Sequence, residues 1–419
     1  LSDSPVPAQY LATLYEITRK LNSSLELKDI LDYVMDRVID VTGAERGFLM
    51  LWDDSQGTLN FKVARGIAHQ DLEKPKFQVS RTIVRHVAET GEPILTDNAQ
   101  NQFSEMESVV MMALRSILCV PIKVKTRLLG VVYVDNRMFE GAFDQGHYDL
   151  VTSFASQAGV AIENANLYQV AVEKGRLQRE LEMARNIQRE LLPQDFPVLD
   201  GYEVAVHWDS ANEVAGDFYD CFLINDSMQM VIADVSGKGA PAAIFMAVAR
   251  SLIRGSAFST PSPEDTLRNA NKLIIDDAGT SGMFVTLYYS VFLPDGRFIG
   301  INNGHNQPLL WRASQATGEW VPRGGRALGW FDDLPLERFE TQLSYGDILI
   351  FYTDGLTEAE TTDHLQYGED RLVELMQALP PGASAAQIRD IILKSVTEFV
   401  GDAPPFDDRT LMIVRYTPS

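Results

Sequence analysis

The sequence predicts a multidomain α+β chain in which one long helix separates two domains that each mix helices and strands. Three observations carry this expectation. At 419 residues the chain exceeds what one ordinary hydrophobic core accommodates. From about residue 148 to 192 a helical pattern runs without a proline and with only Gly159 and Gly175 as interruptions. Before it, short apolar runs are interrupted by helical patterns, and after it they follow one another directly instead of alternating strictly with helices, as layered sheets require.

Composition narrows the class. Hydrophobic residues make up 45% and charged residues 22%, the balance of a soluble globular protein. No window approaches the roughly 18 uninterrupted apolar residues that a membrane span needs, and no basic, apolar leader opens the chain. It starts on Leu1, not Met, which leaves room for residues upstream. A formal charge of −22 and a pI near 4.7 repel phosphate backbones, so neither nucleic acid nor an anionic membrane is expected as a partner. Cys119 and Cys221 fall in different domains, which argues against a disulfide and for a reducing, cytoplasmic compartment.

In chain order, residues 1–25 hold an amphipathic helix (9–23) with Leu11, Leu14, Ile17 and Leu21 on one side. Residues 26–150 form the first α/β domain. Its opening helix, 27–43, places Ile30, Leu31, Val34, Val38 and Val41 at helical spacing; strand patterns follow at 47–52, 59–64, 117–122 and 128–134, with helical patterns near 82–90 and 105–114. Residues 151–192 are the linker helix. Counting inward from Leu167 gives Val170, Lys174, Leu177, Leu181, Ala184, Gln188 and Leu191, in steps that alternate three and four. That is the seam of a parallel two-stranded coiled coil, weakened by Lys174, Ala184 and Gln188, and it predicts a homodimer. The alternative is a helix lying on its own domain. Pro193 and Pro197 end the helix.

Residues 193–419 form the second domain. Strand patterns occur at 202–208, 218–224, 228–233, 284–293, 297–302, 308–312, 336–343, 347–352 and 409–416, and helical ones at 239–255, 263–277, 368–378 and 385–400. Four acids sit at strand ends. Asp217 precedes a strand, Asp234 closes MQMVIAD, Asp354 closes ILIFYTD, and Asp407 opens DDRTLMIV. Any one of these alone would ordinarily cap a turn. Converging, they would repel strongly unless hard divalent cations lay between them, and such ions can activate water for attack on phosphorus. Two nucleotide readings of ADVSGKGAPAAIFMA fail on context. A second parallel strand with a ribose-binding acid is missing after the helix, and Lys238 is followed by Gly239 where a phosphate loop needs Ser or Thr.

Taken together, EVAGDFYD (213–220), IADVSGKGAPAAIFMA (232–247), NNGHNQPLL (302–310), FYTDGLTEAE (351–360) and DDRTLMIV (407–414) resemble the bacterial PPM (PP2C-like) phosphatases, most of all the subgroup that resets sigma-factor switches. The resemblance implies an αββα sandwich holding two Mn²⁺ or Mg²⁺ ions and cleaving phosphoserine or phosphothreonine. Asp234 would bridge both ions, the Val235 carbonyl would bind one, Asp354 and Asp407 would hold the second, and Asp217 would orient water. Asp408 would support this set, with Asp220 a weaker candidate. His305 is expected in a turn and Lys238 in a solvated loop. The implied substrate is a phosphorylated anti-sigma-factor antagonist of the STAS type or a similar switch protein.

The first domain, through 31–53, 87–98 and 116–137, resembles a GAF domain. Asn136, Arg137 and Phe143 echo the signature of its cyclic-nucleotide binders, but the closing acid pair is absent. Cys119 lies in a buried-strand pattern unsuited to a bilin, and His69 and His86 are weak candidates for haem. A small-molecule or protein signal, or none, remains open. Such a signal is expected to act on the 167–191 seam and through it on helix 239–255 and its preceding loop. The rival readings are a catalytically silent GAF-dimer scaffold and a nucleotide-dependent enzyme.

Overall fold

The computed structural model describes residues 26–66, 80–96, 99, 114–278 and 282–418. The helix expected over 9–23, His69 and most of the helical pattern over 105–114 lie outside the described residues. The chain divides into two compact units, Leu1–Gly175 and Arg176–Ser419.

In the first unit α1 (Leu27–Thr42) buries Ile30, Leu31, Val34, Met35 and Val38, spaced three and four apart, and stops at Gly43, whose φ of 57° is the left-handed helix cap that glycine tolerates. Five strands follow: β1 (Arg46–Asp53), β2 (Thr58–Arg65), β3 (Ile94–Thr96), β4 (Ser116–Val124) and β5 (Arg127–Asn136), with α2 (Arg81–Thr90) between β2 and β3. They make an antiparallel sheet in the order β2-β1-β5-β4-β3. The apolar run of β1 is explained by layers on both faces. Leu49 and Leu51 join Val132 and Val134 under α1, while Phe48 and Met50 join Val131, Tyr133 and the α2 residues Ile83 and Val87. The three-residue β3 is too short to announce itself in the sequence. Helix α3 (Gln145–Leu191) begins in this unit, burying Val151, Phe154, Ala155, Ala158 and Ile162 against the α1 face.

The second unit holds two five-stranded antiparallel sheets with helices outside them, the expected sandwich. One sheet runs β13 (Arg338–Gln342), β10 (Arg297–Asn303), β9 (Val285–Phe292), β8 (Ser227–Val235), β7 (Phe218–Ile224). The other runs β12 (Thr317–Trp320), β11 (Leu309–Arg312), β14 (Ile348–Tyr352), β15 (Arg409–Tyr416), β6 (Tyr202–Asp209). Strand β14 shows why every residue of ILIFY is apolar. Leu349 and Phe351 enter the core between the sheets, while Ile350 and Tyr352 face the outer core with Ile388, Ile392 and Val396. Helices α4 (Ala240–Ser259) and α5 (Pro263–Ala278) cover the first sheet; α7 (Gly368–Gln377) and α8 (Ala385–Val400) cover the second. Among the described residues α4 alone is long and apolar enough to cross a membrane by length and composition, and 44% of its most apolar 18-residue stretch is buried in this unit. The nine expected strands are all present. The tenth, β12, is an exposed edge strand of sequence TGEW without an apolar signal, and α6 (Asp354–Thr357) is a single turn.

Candidate metal centre

Each of the four acids lies where its flanking strand ends, as the apolar runs require. Asp217 precedes β7 and Asp234 is the penultimate residue of β8, both in one sheet; Asp354 follows β14 and Asp407 precedes β15, both in the other. The facing sheets thus bring together acids far apart in sequence.

Asp217 is the best anchored. It is 2% exposed, and its Oδ2 accepts hydrogen bonds from the Thr353 hydroxyl (2.6 Å) and the Thr410 hydroxyl (2.8 Å). Thr410 lies in β15 of the opposite sheet and Thr353 directly follows its β14, so this carboxylate ties the layers together. Thr353 also accepts the Thr410 N–H at 2.9 Å, and the Trp208 indole donates to the Asp217 carbonyl at 2.9 Å. Burial, then the Asp234 charge, pushes Asp217 well above the usual carboxylate range. Burial, then Asp354, Asp407 and Asp408, pushes Asp234 up to about 7. Asp354 is raised by burial and by Asp407. Asp217, Asp234 and Asp354 therefore each feel a neighbouring acid's charge.

Two glycines make the approach feasible. A Cβ on Gly355 would fall 1.9 Å from the Asp408 carbonyl oxygen and 3.1 Å from that of Asp407, so only a bare backbone lets the Asp354 turn pack on the Asp407 turn. A Cβ on Gly216 would lie 3.1 Å from the Val235 carbonyl oxygen. Among the described residues no three acid, histidine or cysteine side chains already stand together as a metal-holding group. The acids converge without closing.

The supporting residues sort themselves out. Asp408 is fully engaged: Oδ1 accepts the Ala211 N–H (2.9 Å) and Oδ2 the Gly216 N–H (2.8 Å), fixing the loop that delivers Asp217. Asp220 is neither a neighbour of the cluster nor a surface acid; it faces α4, buried, paired with Arg254 at 2.8 Å and Arg250 at 3.2 Å. His305 closes its turn, with its N–H on Asn302 Oδ1 (2.8 Å) and Nδ1 on the Thr286 hydroxyl (3.0 Å). Burial pushes its pKa down to about 3, so it is neutral and cannot serve as an acid near neutrality. Lys238 lies in a solvated loop as expected, half-exposed, with its ammonium 2.8 Å from Asp407 and 4.6 Å from the Phe406 ring centroid.

Sequence reasoning missed Thr353 and Thr410, although TD in FYTDG and the Thr of DDRT flank the acids directly. It also misplaced Gln188. Counted as a seam residue, Gln188 is 5% exposed and turned onto its own unit, where it donates to the carbonyls of Ala215 (2.9 Å) and Ala243 (3.4 Å) and accepts the Ala215 N–H (3.1 Å). Nearby Arg185 donates to the carbonyls of Asn212 and Glu213. The end of α3 thus grips both the loop carrying Asp217 and the first turn of α4 after the Asp234 loop. Leu167, Val170 and Leu177 stay exposed.

In the first unit Asn136 Oδ1 accepts the N–H groups of Met138 (2.9 Å) and Phe139 (3.0 Å), and Phe143 packs in the core. Cys119 and Cys221 are free and buried. A cavity of about 480 Å³ lies between β1, β2 and α2, lined by Met50, Trp52, Leu59, Phe61, Val84 and Arg85.

Residues 225–417 match the family Stage II sporulation protein E (SpoIIE), and residues 26–162 match the GAF domain. Asp234, Asp354 and Asp407 fall inside the first match; Asp217 precedes it. The chain is 30% identical over 271 residues to Protein IcfG of Synechocystis sp., covering 58% of this chain and 42% of that one. It is 28% identical over 246 residues to phosphoserine phosphatase RsbU of Bacillus subtilis, covering 57% of this chain and 70% of that one. It thus spans less than half the length of the first of these relatives. Among solved structures, the SiaA-PP2C domain of Pseudomonas aeruginosa is similar at 20% identity and a TM-score of 0.49, over 59% of this chain and 99% of that one.

Proposed function

We propose that this chain, a GAF domain followed by a SpoIIE-type, PP2C-like phosphatase domain, is a metal-dependent phosphatase of phosphoserine and phosphothreonine in proteins. The observation that carries the reading is the gathering of buried Asp217 and half-buried Asp234, Asp354 and Asp407 from facing sheets, where burial and mutual repulsion hold the pKa values of Asp217, Asp234 and Asp354 up. Oxygen-only donors of high charge suit Mn²⁺ or Mg²⁺. Asp234, Asp354, Asp407 and the Val235 carbonyl would hold two such ions, with Asp217 beside them. Bound ions of this kind supply Lewis acidity and an activated water for attack on phosphorus. This chain's own residues provide the frame: the two threonines aim Asp217, Asp408 fixes its loop, and Gly355 lets Asp354 reach Asp407.

The substrate we favour is a phosphorylated switch protein such as an anti-sigma-factor antagonist, by analogy with the phosphoserine phosphatase RsbU. We place the signal input at the GAF domain and a parallel dimer contact along the exposed Leu167, Val170 and Leu177. The grip of Gln188 on Ala215 and Ala243 supports a path by which α3 adjusts the acid cluster. Hydrolysis of p-nitrophenyl phosphate tests the activity. Turnover that requires Mn²⁺ and falls by on the order of a thousandfold or more in Asp354→Ala is expected; equal rates in the two proteins would refute it.

A further inference from the structure

Phe284, Trp330 and Phe331 stack into an exposed ladder that the fold itself does not use. Phe284 and Trp330 lie 4.5 Å apart at 22°, Trp330 and Phe331 5.7 Å apart at 17°, and the Arg326 guanidinium sits 4.9 Å from the Phe331 ring centroid. Trp330 is 60% exposed and Phe331 43%. The backbone beneath is fixed. Asn271 of α5, itself buried, accepts the Gly329 N–H at 2.8 Å and donates to the Phe331 carbonyl at 2.9 Å. At Gly329, φ is 91° and a Cβ would meet Ile274 at 2.7 Å. A surface ordered in advance loses little freedom when something settles on it.

Strand geometry places this ladder at the mouth of the acid cluster. Val235, next to Asp234, pairs with Val285, and Val285 exchanges two 2.8 Å backbone hydrogen bonds with Leu328. Neighbouring strands stand about 4.8 Å apart, so Leu328 lies roughly 10 Å from Val235. Both pairings are antiparallel, so residues 329–331 leave the sheet at the same end as the loop after Asp234. Ser236 of that loop donates its N–H to the Phe284 carbonyl (2.9 Å) and accepts the Phe284 N–H on its hydroxyl (3.0 Å).

We propose that Phe284, Trp330 and Phe331 are a docking platform for an apolar side chain of the phosphoprotein substrate, about three residues from the phosphorylated serine. An extended peptide rises about 3.3 Å per residue, so three residues match the roughly 10 Å between Val235, beside Asp234, and Leu328, which leads into the rings. The occupant is the flank of the substrate because the platform is joined by hydrogen bonds to the metal loop itself. This inference rests on the phosphatase reading above, and it assigns that site a sequence preference.

The test uses the full chain with Mn²⁺ and three kinds of probe: p-nitrophenyl phosphate, phosphoserine peptides with leucine three residues before or after the phosphoserine, and matched peptides with glycine there. The wild type should favour a leucine peptide over its glycine partner by roughly tenfold in kcat/KM, the scale of an aromatic contact. Trp330→Ala should erase that preference while leaving p-nitrophenyl phosphate turnover unchanged, and Trp330→Phe should keep most of it. A preference that survives in Trp330→Ala, or its absence from the wild type while p-nitrophenyl phosphate is hydrolysed, overturns the platform alone. Dissociation of a dimer by Trp330→Ala without any change in peptide preference also overturns it, by assigning the rings to a second copy of the chain. No hydrolysis of p-nitrophenyl phosphate overturns the phosphatase reading and the platform with it.

Discussion

A buried pair in the first unit and the acid cluster in the second treat buried carboxylates differently. In the first, Asp135 has no exposure and meets Arg46 through two hydrogen bonds, one of them 2.7 Å, in a bidentate pair. Elsewhere in the second unit the pattern repeats: buried Asp347 pairs with Arg312 at 3.0 Å, and buried Asp220 with Arg250 and Arg254. At the cluster the pattern breaks. Asp217 is as deeply buried as these but receives two hydroxyl groups, and its strongest charged neighbour is another acid. A buried carboxylate without a cation is costly, so a fold keeps one only where a cation arrives from outside or where the acid does chemistry. The contrast sets the structural ion pairs apart from the cluster proposed as a cation site.

The comparison is sharpest when one partner is removed on each side. Arg46→Met strands Asp135 in the core and should cost the first unit about 3–5 kcal/mol, read as a lowered midpoint in thermal or urea unfolding. Asp217→Asn should do the opposite in EDTA at neutral pH. It removes an ionisable group whose pKa is raised in the fold, each unit of such a shift being about 1.4 kcal/mol, so the metal-free protein should melt higher while Mn²⁺-dependent turnover falls. If both substitutions destabilise alike, the cluster is an ordinary structural network. A smaller effect is expected at Gln188→Ala. Loss of its three hydrogen bonds loosens the Ala215 and Ala243 backbones, and Mn²⁺ affinity measured by calorimetry should weaken by about tenfold. Unchanged affinity would detach α3 from the site.

The same contrast shows what the sequence could disclose. The strands that carry the acids were legible because both of their faces are covered, so ILIFY and TLMIV read as unbroken apolar runs and the acid at the end of each stood out. Edge strand β12, exposed and glycine-containing, had no such signal. The Arg46–Asp135 pair spans 89 positions, and nothing local marks it. Heptad counting found Gln188 at an inward position but could not tell which surface it faced; its partners, the Ala215 and Ala243 backbones, leave no trace in side-chain chemistry. The threonines that hold Asp217 were visible beside the acids, yet their role depends on a pairing across sheets that only the fold creates.

The central claim is that the carboxylate cluster is a seat for divalent cations, and thermal unfolding with pH tests it most directly. Asp234 is raised from 3.8 to about 7, so its favourable contribution is complete below the unfolded value and is lost as pH rises through about 7. In EDTA the second unit should therefore lose stability across that window. With Mn²⁺ at about a hundredfold excess over its Kd, it should instead gain about 2.7 kcal/mol at neutral pH. Melting curves at neutral pH that superimpose with and without Mn²⁺ would contradict the account.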